Sequence, residues 1–492
     1  MKKWFLLGAL LVGPLMAIPA IAQDKGLEER VKKLEEAVQE YKEHEKRERE
    51  RGEVRMTEPG TEPGVGPLPD VAKERRADKQ PALSFGSTGS GRLVYAKPFV
   101  AAPKAIIGGY MDIQYRAQKQ NIGNGYGGTT NTFDQQRFVP FFYADITEHV
   151  KMAAELEIEH GIRETSGGND LEIGLEFAHI DYLIHEPLNL RAGIILLPVG
   201  KFNLLHDSPL NDLTDRPLVN RFVIPTTMAE TGVGIYGTFY PGRLSKVDYE
   251  LYFTTGPCGT DANGTPRINE EDGTRGSRQR KCPSDDGLDI NNGKAVVGRV
   301  AYSPMLGVEV AGSGYYGNAA PYSNYNPLSI MALDWTFQRG PFELLGEAAW
   351  AYARHNSRAI AGNTIGAQPG DVLTGQGGNI NPDGTPPQRS NGFYIQGNYH
   401  FMPQWLARWS PKRFGEGSTF TAVLRYDRVN TNLDYKPGGA GDLEQISFGL
   451  NYRPIEDAAF KMSYQYQPMA FNSNSSMRVH DQALVISAAT YF

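Results

Sequence analysis

The chain has 492 residues, with 50 Lys plus Arg against 56 Asp plus Glu and a formal charge of −6. That balance offers nucleic acid no basic surface, and beyond the N-terminus no apolar run reaches the ~20 residues that a spanning helix needs. The mean hydropathy of −0.43 would suit soluble domains, but 55 Gly, 25 Tyr and only 2 Cys do not fit an ordinary set of them.

Residues 1–22 read as a secretory signal peptide. Lys2 and Lys3 precede the apolar stretch Trp4–Met16, and Ala20-Ile21-Ala22 offers a small-residue cleavage site before Gln23. Residues 23–51 follow as a helix. Leu27, Val31, Leu34, Val38 and Tyr41 are spaced 4, 3, 4, 3, an a/d seam among mixed charges. So short a coiled coil is stable only when several copies associate, and it would stand in the periplasm. Residues 52–104 form a Pro/Gly-rich linker containing the EPG repeat Glu58–Gly64, with nothing to build a core.

From Ala105 to Phe492 the hydrophobic period becomes two. Phe460, Met462, Tyr464 and Tyr466 alternate with Lys461, Ser463, Gln465 and Gln467, and Met152, Ala154, Leu156 and Ile158 alternate with Glu155, Glu157 and Glu159. Each such stretch is a strand with one apolar and one wet face. Sixteen are expected, near 105–117, 136–146, 151–162, 171–184, 189–197, 231–241, 246–256, 294–303, 306–317, 328–338, 341–354, 391–402, 417–429, 442–453, 457–470 and 480–492. Short connections at 147–150, 185–188, 242–245, 304–305, 339–340 and 454–456 alternate with long ones at 118–135, 163–170, 198–230, 257–293, 318–327, 355–390, 430–441 and 471–479. Only 403–416 is too long for its short slot.

An even strand number with short turns on one side and long loops on the other predicts an all-β fold, a transmembrane antiparallel β-barrel in a bacterial outer membrane. Closure leaves no backbone edge in lipid. Trp335, Trp350, Tyr352, Tyr399, Phe401 and Tyr426 suit interfacial girdles. The terminal Phe492 resembles the assembly signal that ends many outer-membrane barrels.

The segment Asn189–Asn203 (NLRAGIILLPVGKFN), with the hairpin from Gln136-Arg137-Phe138 to Glu155-Leu156-Glu157, resembles the phosphate-selective porin O/P family. That resemblance implies a sixteen-stranded, generally trimeric porin that passes small anions through a pore narrowed by its third long loop. In this chain that loop, 198–230, carries Lys201, His206, Asp207, Asp212, Asp215, Arg216 and Arg221 together with ten large apolar side chains.

The polar parity of the strands places Asp112, Asp145, Glu155, Glu157, Glu159, Glu172, Glu176, Asp248, Glu250, Glu309, Asp334, Glu343, Glu347 and Asp427 in the lumen. It places Arg116, Arg137, Lys151, Arg191, Arg299, Arg425, Arg453 and Lys461 there too. Fourteen acids against eight bases predict a weakly selective or cation-leaning pore rather than a phosphate-selective one.

Cys258 and Cys282 lie in the fourth long loop of a chain bound for an oxidising compartment, so a disulfide is expected. There is no H-E-x-x-H and no G-x-S-x-G, so neither an enzyme nor a cofactor is expected. The sequence thus predicts a homotrimeric outer-membrane porin embedded in lipid, passing small ions or solutes. The second reading is an envelope-tethering barrel whose coiled coil contacts peptidoglycan or a periplasmic partner.

Overall fold

The computed structural model describes residues 104–120, 128–160, 172–258, 267–269, 272–278, 293–318, 327–354, 387–415, 417–434, 441–470 and 479–492. The signal peptide, the coiled coil, the linker up to residue 103 and Cys282 lie outside the described residues.

All sixteen expected strands are present: β1 (Lys104–Gln120), β2 (Gly128–Asp145), β3 (Val150–Glu159), β4 (Glu172–His185), β5 (Leu188–Leu196), β6 (Ala229–Phe239), β7 (Lys246–Thr254), β8 (Ala295–Met305), β9 (Val308–Asn318), β10 (Pro327–Arg339), β11 (Phe342–Ala353), β12 (Arg389–Phe401), β13 (Thr419–Asn430), β14 (Asp442–Ile455), β15 (Ala458–Ala470) and β16 (Val479–Tyr491). Each pairs antiparallel with its sequence neighbours, and β1 pairs with β16, closing the barrel. Lys104, assigned to the linker, is the first residue of β1.

One strand end departs far from the expected limits. β2 begins at Gly128 instead of residue 136, and its pairing runs out to Gln120↔Gly128. Residues 128–133 are exposed, so neither face needed to be apolar and the period-two signal was absent. The over-long connection 403–416 contains a short helix, α2 (Gln404–Trp409), that leaves Trp405 and Trp409 exposed.

The sheet is apolar outside and polar within. Met331, Leu424, Phe448 and Met462 are exposed, whereas Asp112, Arg299, Asn398, Asp427, Ser447 and Ser463 are buried. Water would penalise such an exterior, and lipid matches it. At the short-turn end a run of rings joins Phe342, Tyr399, Phe401, Phe420, Tyr452 and Phe414 with centroid spacings of 4.8–5.9 Å. Leu424 lies near the middle of β13 and is 52% exposed. Leu424→Lys is therefore expected to destabilise the barrel by about 2–4 kcal/mol in bilayers, measured by urea unfolding in lipid vesicles. A water-facing site would give a change near zero.

The seam is closed by the last residue. Phe492 N–H donates to Gly109 O (2.9 Å) and Gly109 N–H to Phe492 O (3.1 Å). The Phe492 ring stacks on Phe138 at 5.7 Å. A Cβ on Gly109 would sit 2.8 Å from the tip of that ring, so the close approach depends on glycine.

Side-chain parity reverses within β4. Glu176 and Asp181 are both buried although they are five residues apart. The pairing with β3 shifts register at Glu155/Leu156, and on the other side Gly193 faces His179 with φ +137°. A bulge of this kind turns the following side chains to the opposite face. Asp181, excluded from the lumen by strict alternation, is therefore an inward residue.

Candidate functional site

The third loop spans residues 197–228. Glu230, counted with it from the sequence, belongs to β6. Asn203, fully buried, closes its neck: the side-chain amide donates to Leu197 O (2.7 Å) and Met228 O (3.0 Å), and Met228 N–H donates to Asn203 Oδ1 (2.9 Å). Beyond the neck the loop carries its own apolar face. Leu218, Val219, Val223, Ile224 and Met228, around the short helix α1 (Leu218–Phe222), pack with Ile330, Ala349, Ala351 and Val429 of the barrel wall.

Polar anchors then fix the loop to many inward side chains. Phe202 N–H and the Asn220 amide donate to the two oxygens of Glu347 at 3.2 and 2.6 Å, and Gly200 N–H donates to Ser313 Oγ at 2.9 Å. Gly200 has φ +71°, and a Cβ there would lie 2.5 Å from the Glu347 carboxylate. Lys201 pairs with Glu309 (3.1 Å) and donates to Thr336 (3.0 Å). Farther round the wall, Tyr491 donates to Asp207 (2.8 Å), and Lys461 donates to Ser208 O (2.7 Å). Asn398, Asn451 and Arg453 hold Asp212 at 2.8, 3.0 and 3.4 Å. Arg116 reaches both oxygens of Asp215 at 2.6 Å. Leu218 N–H donates to Asp427 (2.9 Å), which Arg425 also binds (2.7 Å). These partners belong to β1 and to β9 through β16, so the loop is bonded to side chains on widely separated strands.

Between the loop and β1, β2, β15 and β16 lies a cavity of about 700 Å³. Arg116, Arg137, Arg216, Arg221 and Arg275 line it with Glu159, Asp215, Asp272 and Asp481, and Gln114, Gln118, Gln465 and Gln467 complete a polar wall. Burial opposes ionisation of Asp215, but the Arg116 guanidinium outweighs it and holds the carboxyl below its usual range. Burial, joined by the like charge of Arg137, lowers the Arg216 guanidinium to about 10. One terminal nitrogen of Arg216 donates to Thr226 O (3.0 Å), while Nε and the other terminal nitrogen have no hydrogen-bond partner among the described residues.

Of the residues expected at a constriction, Arg137, Asp215, Arg216 and Arg221 line this cavity. Glu157 and Glu159 both meet Arg137, at 3.1 and 2.9 Å. Lys201 and Arg299 form a separate group with Glu309 and Asp334. Arg191 pairs with Asp181 (2.8 Å) and stacks over Tyr236. His206, Glu155 and Arg425 are sealed between loop and wall, each at most 3% exposed, and Asp207 and Asp212 serve as loop anchors. Cys258 is buried and disulfide-bonded. Asn203 and Asn220 gave no sequence signal, because an amide that clamps a loop looks like any polar loop residue.

The fold and interior together define a closed sixteen-stranded antiparallel barrel with an apolar exterior, a polar lumen and a third loop bonded to the inner wall. No protein-family profile matches the chain, so the resemblance to the phosphate-selective porin O/P family gains no support there. Over 363 residues the chain is 25% identical to an uncharacterized protein of Aquifex aeolicus, covering 73% of this chain and 74% of that one. Similar solved structures include an anion-selective porin from Comamonas acidovorans (11% identity, TM-score 0.45, 79% of this chain and 100% of that one). They also include OmpF of Salmonella typhi in complex with daunomycin (13%, 0.47, 80% and 98%). A third is the outer-membrane channel DcaP of Acinetobacter baumannii (10%, 0.45, 80% and 98%).

Proposed function

We propose that this chain is an outer-membrane porin. It passes small hydrophilic solutes and ions by passive diffusion through a lumen narrowed by the third loop. The observation that carries this reading is the combination of a loop bonded to inward side chains with a polar cavity of about 700 Å³ beside it. The lipid-matched exterior supports an outer-membrane location. Homotrimerisation belongs to the same proposal and rests on the heptad seam of residues 23–51, which lie outside the described residues.

Selectivity in this reading is weak. The inward bases are largely matched by acids: Arg116 with Asp215, Arg137 with Glu157 and Glu159, Arg191 with Asp181, Arg299 with Asp334, and Arg425 with Asp427. Paired charges leave a small net field for a passing ion. Asp112 and Glu347, both fully buried, accept hydrogen bonds from neutral donors. Arg221 and Arg275 line the cavity. The double variant Arg221→Gln/Arg275→Gln is expected to raise the cation-to-anion permeability ratio about twofold, read as a shifted reversal potential in a KCl gradient.

The proposal is tested by swelling of liposomes that contain the purified protein. Small sugars are expected to enter and to swell the vesicles, and uptake is expected to slow steeply with solute size. Vesicles no more permeable than protein-free ones would reject the reading.

A further inference from the structure

Beyond conduction, the geometry points to a transition-metal site. We propose that Glu155, Glu176 and His206 bind one divalent cation of the zinc class and so pin the third loop to the barrel wall.

The three residues come from three separate segments. Glu155 is on β3, Glu176 on β4, and His206 is in the third loop. One ligand atom from each lies within 4.8 Å of the others, and all three residues are buried. Glu176 and His206 are 1% exposed, and Glu155 is 3% exposed. His206 Nε2 is 2.8 Å from Glu176 Oε2.

Two observations set the cluster apart from an ordinary buried ion pair. Glu155 Oε1 is buried without a hydrogen-bond partner among the described residues. A carboxylate oxygen sealed from water and unpartnered is costly, because it has lost its hydration and gained nothing in return. A cation shared with Glu176 and His206 would remove that cost. The second observation concerns the imidazole. His206 Nδ1 is 3.1 Å from Asn203 O, a carbonyl that can only accept, so Nδ1 carries a proton. Nε2 donates to the Glu176 carboxylate, and a bound cation would displace that proton and take the nitrogen's lone pair. A backbone carbonyl that fixes the far nitrogen in this way is the usual support for a metal-bound histidine. Glu176 is supported too, since Thr227 Oγ1 donates to its other oxygen at 2.9 Å.

The ligand set selects the ion. Imidazole with two carboxylates suits Zn²⁺ and its first-row neighbours, whereas Ca²⁺ and Mg²⁺ favour oxygen alone. Two ligands on a tetrahedral Zn²⁺ at 2.0–2.1 Å are about 3.3 Å apart, so the His206–Glu176 pair need open by only about half an ångström. The charge also fits, because a dication would neutralise two buried carboxylates that compete for one imidazole.

The test uses the purified full-length barrel, stripped with a chelator and titrated with Zn²⁺ by calorimetry, with bound metal counted by mass spectrometry. One Zn²⁺ per chain is expected, and Glu155→Gln or His206→Gln should each weaken binding at least about 100-fold. Absence of binding, or binding left intact in both variants, would overturn the proposal. If the variants fail to fold, zinc-edge absorption on the unmodified protein decides. One imidazole with oxygen ligands supports the site, and several imidazoles refute it. Metal content is read without any current, so its result and that of the conduction test stand or fall separately.

Discussion

Asp427→Ala should destabilise the folded barrel by about 3–5 kcal/mol. The Asp427 carboxylate takes a 2.7 Å bond from Arg425 Nε and a 2.9 Å bond from Leu218 N–H. The two side chains of the ion pair are 2% and 0% exposed. Its removal leaves a buried guanidinium without its counter-charge and a loop N–H without an acceptor, and water cannot reach either. The control is Asp145→Ala. Asp145 meets Lys151 at 2.9 Å, but those side chains are 58% and 33% exposed, and the loss there should stay under about 1 kcal/mol. Urea unfolding in detergent micelles compares the two. Equal losses would show that the loop does not seal the Asp427 pair.

The second large effect concerns the pore. Replacing residues 204–226 by two glycines keeps the neck formed by Asn203 and Met228 and removes the anchors from His206 to Asn220. The wall should still fold, because all sixteen ladders are complete without the loop. Glu176, Asp427 and the inner face of β12 to β15 would then be open to water. Single-channel conductance is expected to rise at least about threefold, since flow follows the open cross-section. An unchanged conductance would mean that the third loop does not set the narrowest point.

Much of this architecture was legible in the sequence because a lipid-facing barrel imposes strict alternation. Phe460 to Gln467 could be read residue by residue, and most strand ends fall within three residues of the expected limits. Legibility failed where the physical cause of the pattern was missing. Residues 128–133 extend a hairpin that is exposed, so nothing forced alternation. In β4 the bulge reversed the parity, and alternation cannot announce the one extra residue that breaks it. The third loop was recognisable as a packed element from its apolar content. Its partners were not, since Gly200 bonds to a residue 113 positions away and Lys461 to one 253 positions away. The cluster of Glu155, Glu176 and His206 was hidden for the same reason. Two of the three were marked as site candidates and the third as an inward acid, but only closure of the barrel brings them together.

The central claim is that a water-filled passage runs through this barrel, narrowed but not sealed by the third loop. It is tested most directly by reconstituting the purified protein in planar bilayers and recording single-channel current in symmetrical KCl. The account predicts discrete, ohmic opening steps, appearing in groups of three if the protein is a homotrimer, with a reversal potential in a salt gradient close to zero or leaning to cations. Bilayers that stay electrically silent while the inserted barrel is demonstrably folded would contradict it, and so would a strongly anion-selective current.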